Sequence, residues 1–222
     1  RAGPRREAGR EGGVGFFLPG AGGLRTTNWG PPPPPPPPPR AAGRPGETPS
    51  PPLTAAARRG ISTPAAAFIT GGTTRGNRQY EAGTVLTRRD IQRELPFRDT
   101  IIAVTLPGKA LREALEVSAA GVDNQKGSFL HPSNMAVVYD LKQPAGSRVV
   151  SVTVGGKPLD PDVRYSVALP NYLAQGGDGY GMLKSPGAAP GSGGKLLWEI
   201  MAQHLTDRGT VSPRIDGRIT ER

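Results

Sequence analysis

Nine consecutive prolines, Pro31–Pro39, constrain this chain more than any other feature. Proline has no backbone N–H and a fixed φ, so such a run can join neither a helix nor a sheet ladder. It adopts an extended polyproline II helix without internal hydrogen bonds. Its surroundings do not rescue it. Residues 1–60 hold nine Arg, no Lys and three Glu among Gly, Ala and Pro, with few large apolar side chains. Such sequence buries too little surface to offset its ordering entropy. Residues 1–60 are therefore expected to form a disordered tail, and residues 61–222 the folded domain. The tail is a ligand for proline-binding domains, a solvated tail, or poorly defined coding sequence at a fragment end. The chain starts at Arg1 rather than Met, which favours the fragment reading.

Charge follows the same division. Of the net +10, the tail carries +6 and the remaining 162 residues only +4. A basic stripe on a folded domain would suggest nucleic acid, but the excess here lies mostly outside the expected fold, so nucleic acid is not the favoured partner. There is no cysteine, which excludes disulfides and thiolate metal sites. No apolar run reaches the roughly 18 residues a membrane helix needs.

Downstream of residue 61 the periodicity predicts mixed strands and helices. "AAAFIT" (65–70) reads as a buried strand running into glycines. Residues 87–95 read as a helix, with Thr87 and Asp90 in a capping-box pattern. Residues 100–105 are strand-like. Residues 107–120 form a helix with Pro107 in its first turn and Leu111, Ala114, Leu115 and Ser118 on one face. Residues 135–140 and 147–154 read as paired strands, and Gly155-Gly156 as a two-residue hairpin turn. A strand over 164–169, a helix over 195–209 ended by Gly209, and a short strand over 217–221 complete the pattern. Without regular βαβ alternation, the class is α+β: a single mixed-sheet domain with packed helices.

Three stretches carry candidate chemistry. In "ITGGTTRGNR" (69–78), glycines let backbone N–H groups approach an anion, and Arg75 offers a planar fork for phosphate or carboxylate. The bland alternative is a strand-to-loop turn with solvated arginines. In "ELPFRD" (94–99), Pro96 stops the helix and leaves Phe97 at its end, either packed in a core or stacked on a planar ligand. In "YLAQGGDGYGML" (172–183), Asp178 can brace the loop or bind ligand hydroxyls, and Tyr180 has a face suited to a base. Hydrolytic machinery is not evident. The two histidines, His131 and His204, are far apart in sequence, with His131 in an expected loop and His204 on a helix as a partly exposed residue. There is no G-x-S-x-G elbow.

In order, "ITGGTTRG", "RRDIQRELPF", "SFLHPSNMAVVYDLKQPAGSRVVSVTV", "LPNYLAQGGDGYGML" and "RIDGRI" resemble the C-terminal domain of the 5′-nucleotidase family, over roughly residues 65–221. That family includes UDP-sugar hydrolases and 2′,3′-cyclic-nucleotide phosphodiesterases. The resemblance implies a two-domain, metal-dependent phosphoesterase. Its N-terminal domain would hold two divalent metals, typically zinc, and the catalytic His. Its C-terminal domain would bind a nucleoside or nucleoside monophosphate and carry it to the metals by rotation. By the same resemblance two aromatic rings sandwich the base: Phe97 from the LPF motif and Tyr180 from the end of GGDGY. Arg75 matches a phosphate-contacting arginine. The family's Asn in the glycine motif is Thr70 here, whose shorter side chain cannot duplicate an amide's reach.

These readings make the chain the nucleotide-binding half of a 5′-nucleotidase-like hydrolase, whose partner is a metallophosphoesterase domain it does not contain. By itself it is expected to be inactive, even with added zinc, and to hold no cofactor. The family resemblance places such proteins outside the cell, in a periplasm or at a cell surface. The alternative is a non-catalytic interaction protein that combines a nucleotide-binding fold with a polyproline tail.

Overall fold

The computed structural model describes residues 64–75, 78–124, 127–185, 195–213 and 215–222. The expected tail lies outside these residues. Among the described residues, eight strands form two four-stranded sheets. The first has the order β2-β7-β1-β3, built from β1 (Ala66–Thr70), β2 (Ile101–Pro107), β3 (Leu130–Ser133) and β7 (Arg164–Pro170). The second has the order β6-β5-β4-β8, built from β4 (Met135–Tyr139), β5 (Val149–Val154), β6 (Lys157–Pro158) and β8 (Ile219–Glu221). β1 runs parallel to β7, and β4 parallel to β8; the other pairs are antiparallel. The class is thus α+β with mixed sheets, as the sequence pattern predicts.

β1 explains the layering. All five of its residues are buried, because a strand's side chains alternate and both faces of this sheet are covered. Ala66 and Phe68 enter one apolar cluster, shared with helix α2 (Gly108–Ala120) and the second sheet. Ala67 and Ile69 enter another, shared with α1 (Arg88–Glu94) and α4 (Leu197–Arg208). In α2 the expected face of Leu111, Ala114, Leu115 and Ser118 is buried. Thr87 and Asp90 close the capping box on α1: the Asp90 N–H donates to the Thr87 hydroxyl at 3.3 Å, and the Thr87 N–H to Asp90 Oδ2 at 2.9 Å. Gly155 and Gly156 turn the β5–β6 hairpin with φ of +59° and +80°, the left-handed pair that a two-residue turn demands. Gly209 ends α4 with φ +69°.

Three expectations shift. Pro107 closes β2 and caps α2 rather than lying in its first turn. His131 is not in a loop: it is buried in β3 and pairs with Ile69. Pro132 follows it without penalty because β3 is an edge strand, where a missing N–H breaks no ladder. His204 is buried rather than partly exposed, because it sits one turn beyond Ile200 on the inner face of α4.

Candidate functional site

The first sheet carries the sequence-predicted residues at the ends of its strands. β1 ends at Thr70, and a short 3-10 turn, Gly71–Thr73, leads to Arg75. The glycine N–H groups there do not point to an anion. Gly71 N–H donates to the Phe129 carbonyl at 2.9 Å and Gly72 N–H to Gly127 at 2.6 Å. A Cβ on Gly72 would lie 3.1 Å from the Gly127 oxygen, so this glycine serves backbone-to-backbone packing. Thr70 is buried, and its hydroxyl meets that of Thr73 at 3.2 Å. Its polar atom is thus engaged inside the fold.

Arg75 is exposed, and its guanidinium lies 5.4 Å from the centroid of the Phe97 ring. Phe97 is 43% exposed. Of the two fates open to it in the sequence, the structure places it at the surface. Pro96 ends α1 just before it, so the chain cannot fold the ring back onto the helix. The Arg75 N–H donates to the carbonyl of Glu94 at 2.9 Å, which ties the glycine turn to the C-terminus of α1. A cation over an aromatic face is held by the ring quadrupole and remains able to meet an anion.

The loop after β7 divides its two tyrosines. Tyr180 is fully buried, with its hydroxyl donating to the Ser128 carbonyl at 2.6 Å. Burial, followed by the negative charge of Asp178, raises its hydroxyl pKa well above the usual tyrosine range. The expected stacking role for Tyr180 therefore meets a physical obstacle: the ring presents no exposed face. Tyr172 is the exposed ring of this loop, at 47%. It belongs to the short helix α3 (Asn171–Ala174). Its hydroxyl donates to Asp178 Oδ1 at 3.0 Å and accepts from the Asp178 N–H at 3.2 Å. Hydrogen bonding to Asp178 raises the Tyr172 pKa. Asp178 is exposed and takes a left-handed conformation, φ +57°, which Asp tolerates better than most residues. Its carboxylate braces the Tyr172 ring and keeps capacity for further donors. The same ring packs over Gly177, where a Cβ would come within 2.4 Å of its carbons.

Phe97 and Tyr172 are tied to one another through the backbone. Thr100, at the entry to β2, donates its N–H to Asn171 Oδ1 at 3.1 Å, and its carbonyl accepts from the Asn171 N–H at 2.9 Å. Asp99, whose carboxyl pKa is raised by burial, lies close enough to act electrostatically on the Tyr172 hydroxyl. The structure therefore brings Arg75 onto Phe97, and Asp178 onto Tyr172, while Thr70 and Tyr180 lie inside. A signal for Tyr172 was present in the sequence. Both exposed rings come within two residues of a Leu-Pro pair at the exit of an element: Leu95-Pro96-Phe97 and Leu169-Pro170-Asn171-Tyr172.

Among the described residues, no group of three His, Asp or Glu side chains is arranged to hold a metal, and no helix is long and apolar enough to cross a membrane. A shallow groove lined by Gly108, Arg112, Ser151, Val152, Pro158, Leu159 and Pro161 contains none of the candidate residues.

Comparison with known proteins agrees with this architecture. The family described as 5′-nucleotidase, C-terminal domain, matches residues 30–185. Snake venom 5′-nucleotidase of Macrovipera lebetinus is 36% identical over 144 residues, covering 61% of this chain and 35% of that protein. The 5′-nucleotidase of Homo sapiens is 31% identical over 160 residues, covering 68% of this chain and 28% of that protein. The crystal structure of a 5′-nucleotidase precursor from Thermus thermophilus superposes with a TM-score of 0.67 at 29% identity, over 77% of this chain and 34% of that one. The chain thus spans about a third of the length of the relatives it matches. With the family's motifs laid along strands that fold as the family's do, this chain belongs to the 5′-nucleotidase family, through its C-terminal domain.

Proposed function

We propose that residues 61–222 form the nucleotide-binding domain of a phosphoesterase that hydrolyses nucleoside monophosphates. The observation that carries the reading is the pairing of Arg75 with the exposed Phe97 ring, backbone-tied to the second exposed ring, Tyr172. In this reading the base lies against Phe97 and Tyr172. The Asp178 carboxylate accepts from ribose hydroxyls while it holds Tyr172, and Arg75 swings from the ring to the phosphate. Thr70 is left to hold the turn beneath them.

Hydrolysis itself belongs to a metallophosphoesterase domain with two divalent, zinc-type metals. In this reading the part of residues 61–222 is to bind and orient the nucleotide. An extracellular or cell-surface setting is part of the proposal, supported by relatives named as venom enzymes.

Calorimetric titration of the full chain tests the reading. Adenosine and AMP should bind in the millimolar to micromolar range, about what two stacking contacts supply. Phe97→Ala should weaken both ligands, and Arg75→Ala should weaken AMP selectively. If Phe97→Ala and wild type bind adenosine equally, the stacking role fails.

A further inference from the structure

Glu94 and Tyr80 converge on the segment that carries Arg75, and neither has a part in the binding scheme above. Glu94 ends α1 and is only 1% exposed. A buried carboxylate is rare, and at a helix C-terminus it also opposes the helix dipole. Ile91 and Leu95 of the same turn belong to the apolar cluster beneath the first sheet, so an apolar side chain at position 94 would suit the core better. What the carboxylate provides is hydrogen bonding. The Tyr80 hydroxyl donates to Glu94 Oε1 at 2.9 Å. The Glu94 carbonyl accepts the Arg75 N–H, also at 2.9 Å. One residue therefore holds the chain at position 75 with its backbone and at position 80 with its side chain. The Tyr80 ring is fixed in turn by the Arg78 guanidinium, 5.6 Å from its centroid and 3.6 Å from Asp90.

We propose that Glu94 is a positioning residue for Arg75: its carbonyl on the Arg75 N–H and its carboxylate on the Tyr80 hydroxyl hold residues 75 and 80 against the end of α1, so that the guanidinium rests at the Phe97 ring, from which it swings to an arriving phosphate. Glu94 touches no ligand in this scheme; it acts through Arg75. The inference rests on the reading that Arg75 meets the phosphate.

The experiment compares AMP with adenosine, because only AMP reports on Arg75. The full chain is titrated with both ligands as wild type, Arg75→Ala, Tyr80→Phe, Glu94→Ala and Glu94→Gln, with thermal melting of each. Tyr80→Phe removes one hydroxyl and should lower AMP affinity about fivefold, the scale of one lost hydrogen bond. Adenosine affinity should stay within about twofold of wild type. Glu94→Ala should lower the AMP-to-adenosine preference further, and Glu94→Gln, which keeps an acceptor for Tyr80, should recover most of it. The proposal is overturned if Tyr80→Phe leaves the preference at its wild-type value, or weakens both ligands equally, while Arg75→Ala still weakens AMP alone. A wild-type preference in Arg75→Ala removes the phosphate role of Arg75 instead, and the proposal with it. Should Glu94→Ala fail to fold, the Tyr80→Phe and Glu94→Gln arms decide alone.

Discussion

One glycine-rich loop holds two tyrosines in opposite environments. Tyr180 is sealed in the core, its hydroxyl on the Ser128 carbonyl. Tyr172 stands at the rim, nearly half exposed, with its hydroxyl on Asp178. The glycines between them serve the two differently. Gly176 and Gly179 take φ of +87° and +88°, which turns the chain sharply enough to bring Tyr180 inward. Gly177 leaves its Cβ position empty so that the Tyr172 ring can lie over it. The loop therefore divides into an anchor and a platform, and a motif that reads as one feature performs two tasks.

The largest effect expected from this division is on stability. Tyr180→Ala deletes a fully buried ring and leaves the Ser128 carbonyl without its donor. It should cost about 3–5 kcal/mol, as aromatic-to-alanine core changes do. Urea unfolding followed by far-ultraviolet circular dichroism measures this. A loss below about 1 kcal/mol would mean that the ring is not a core element in solution.

A second interior side chain sharpens the same point through pH. His131 is held to a pKa of about 4, first by burial and then by the positive charge of Arg218. Its folded pKa thus lies below the ordinary value of 6.5. In that interval the unfolded chain binds a proton that the folded chain does not, so stability falls as pH drops from about 6.5 towards about 4. The full loss is on the order of 3 kcal/mol. His131→Gln removes the group, and its unfolding free energy should be flatter across this window than that of wild type. Parallel pH profiles for the two proteins would show that folding does not shift the His131 pKa.

How much of this division the sequence discloses depends on the physical signal involved. The strands and helices were legible because burial imposes a period, as on the inner face of α2, or because a turn demands particular residues, as at Gly155-Gly156. β3 was not legible. "LHPS" contains a histidine and a proline, and only its edge position beside β1 makes it a strand. The proposed binding rim was half legible. Arg75, Phe97 and Asp178 sit at element ends, where local sequence decides exposure. That Tyr172 is exposed and Tyr180 buried was not legible, because period and composition do not distinguish a ring over a glycine from a ring under a loop. That choice is made by long-range partners: Ser128 for one ring, and Thr100, through Asn171, for the other.

At the platform the expected effects move from folding to binding. Tyr172→Ala should change stability by less than about 1 kcal/mol, because the ring is exposed and its one side-chain partner is exposed too. It should weaken adenosine binding by about 1–3 kcal/mol, the scale of one base–aromatic stack. Isothermal titration checks the affinity, and the same urea series checks the stability. Unchanged adenosine binding together with a large loss of stability would reverse the assignments of the two tyrosines.

The smallest expected effect is the most discriminating. Gly177→Ala places a methyl where the Tyr172 ring now lies, 2.4 Å from its nearest carbons, at a glycine whose φ is not in the left-handed region. Backbone strain is therefore absent, and the ring must swing away. Being exposed, it can do so at little cost to folding. The variant should melt near the wild-type temperature yet bind adenosine more weakly, by less than the loss in Tyr172→Ala. Gly179→Ala is the opposite case. Its Cβ meets nothing within 4 Å, but its φ of +88° penalises any side chain. That variant should lose roughly 1 kcal/mol of stability and keep the Tyr172 platform in place. Adenosine titration and thermal melting on both variants separate the two glycine roles. If Gly177→Ala binds adenosine like wild type, the Tyr172 ring need not rest where it does for the site to work.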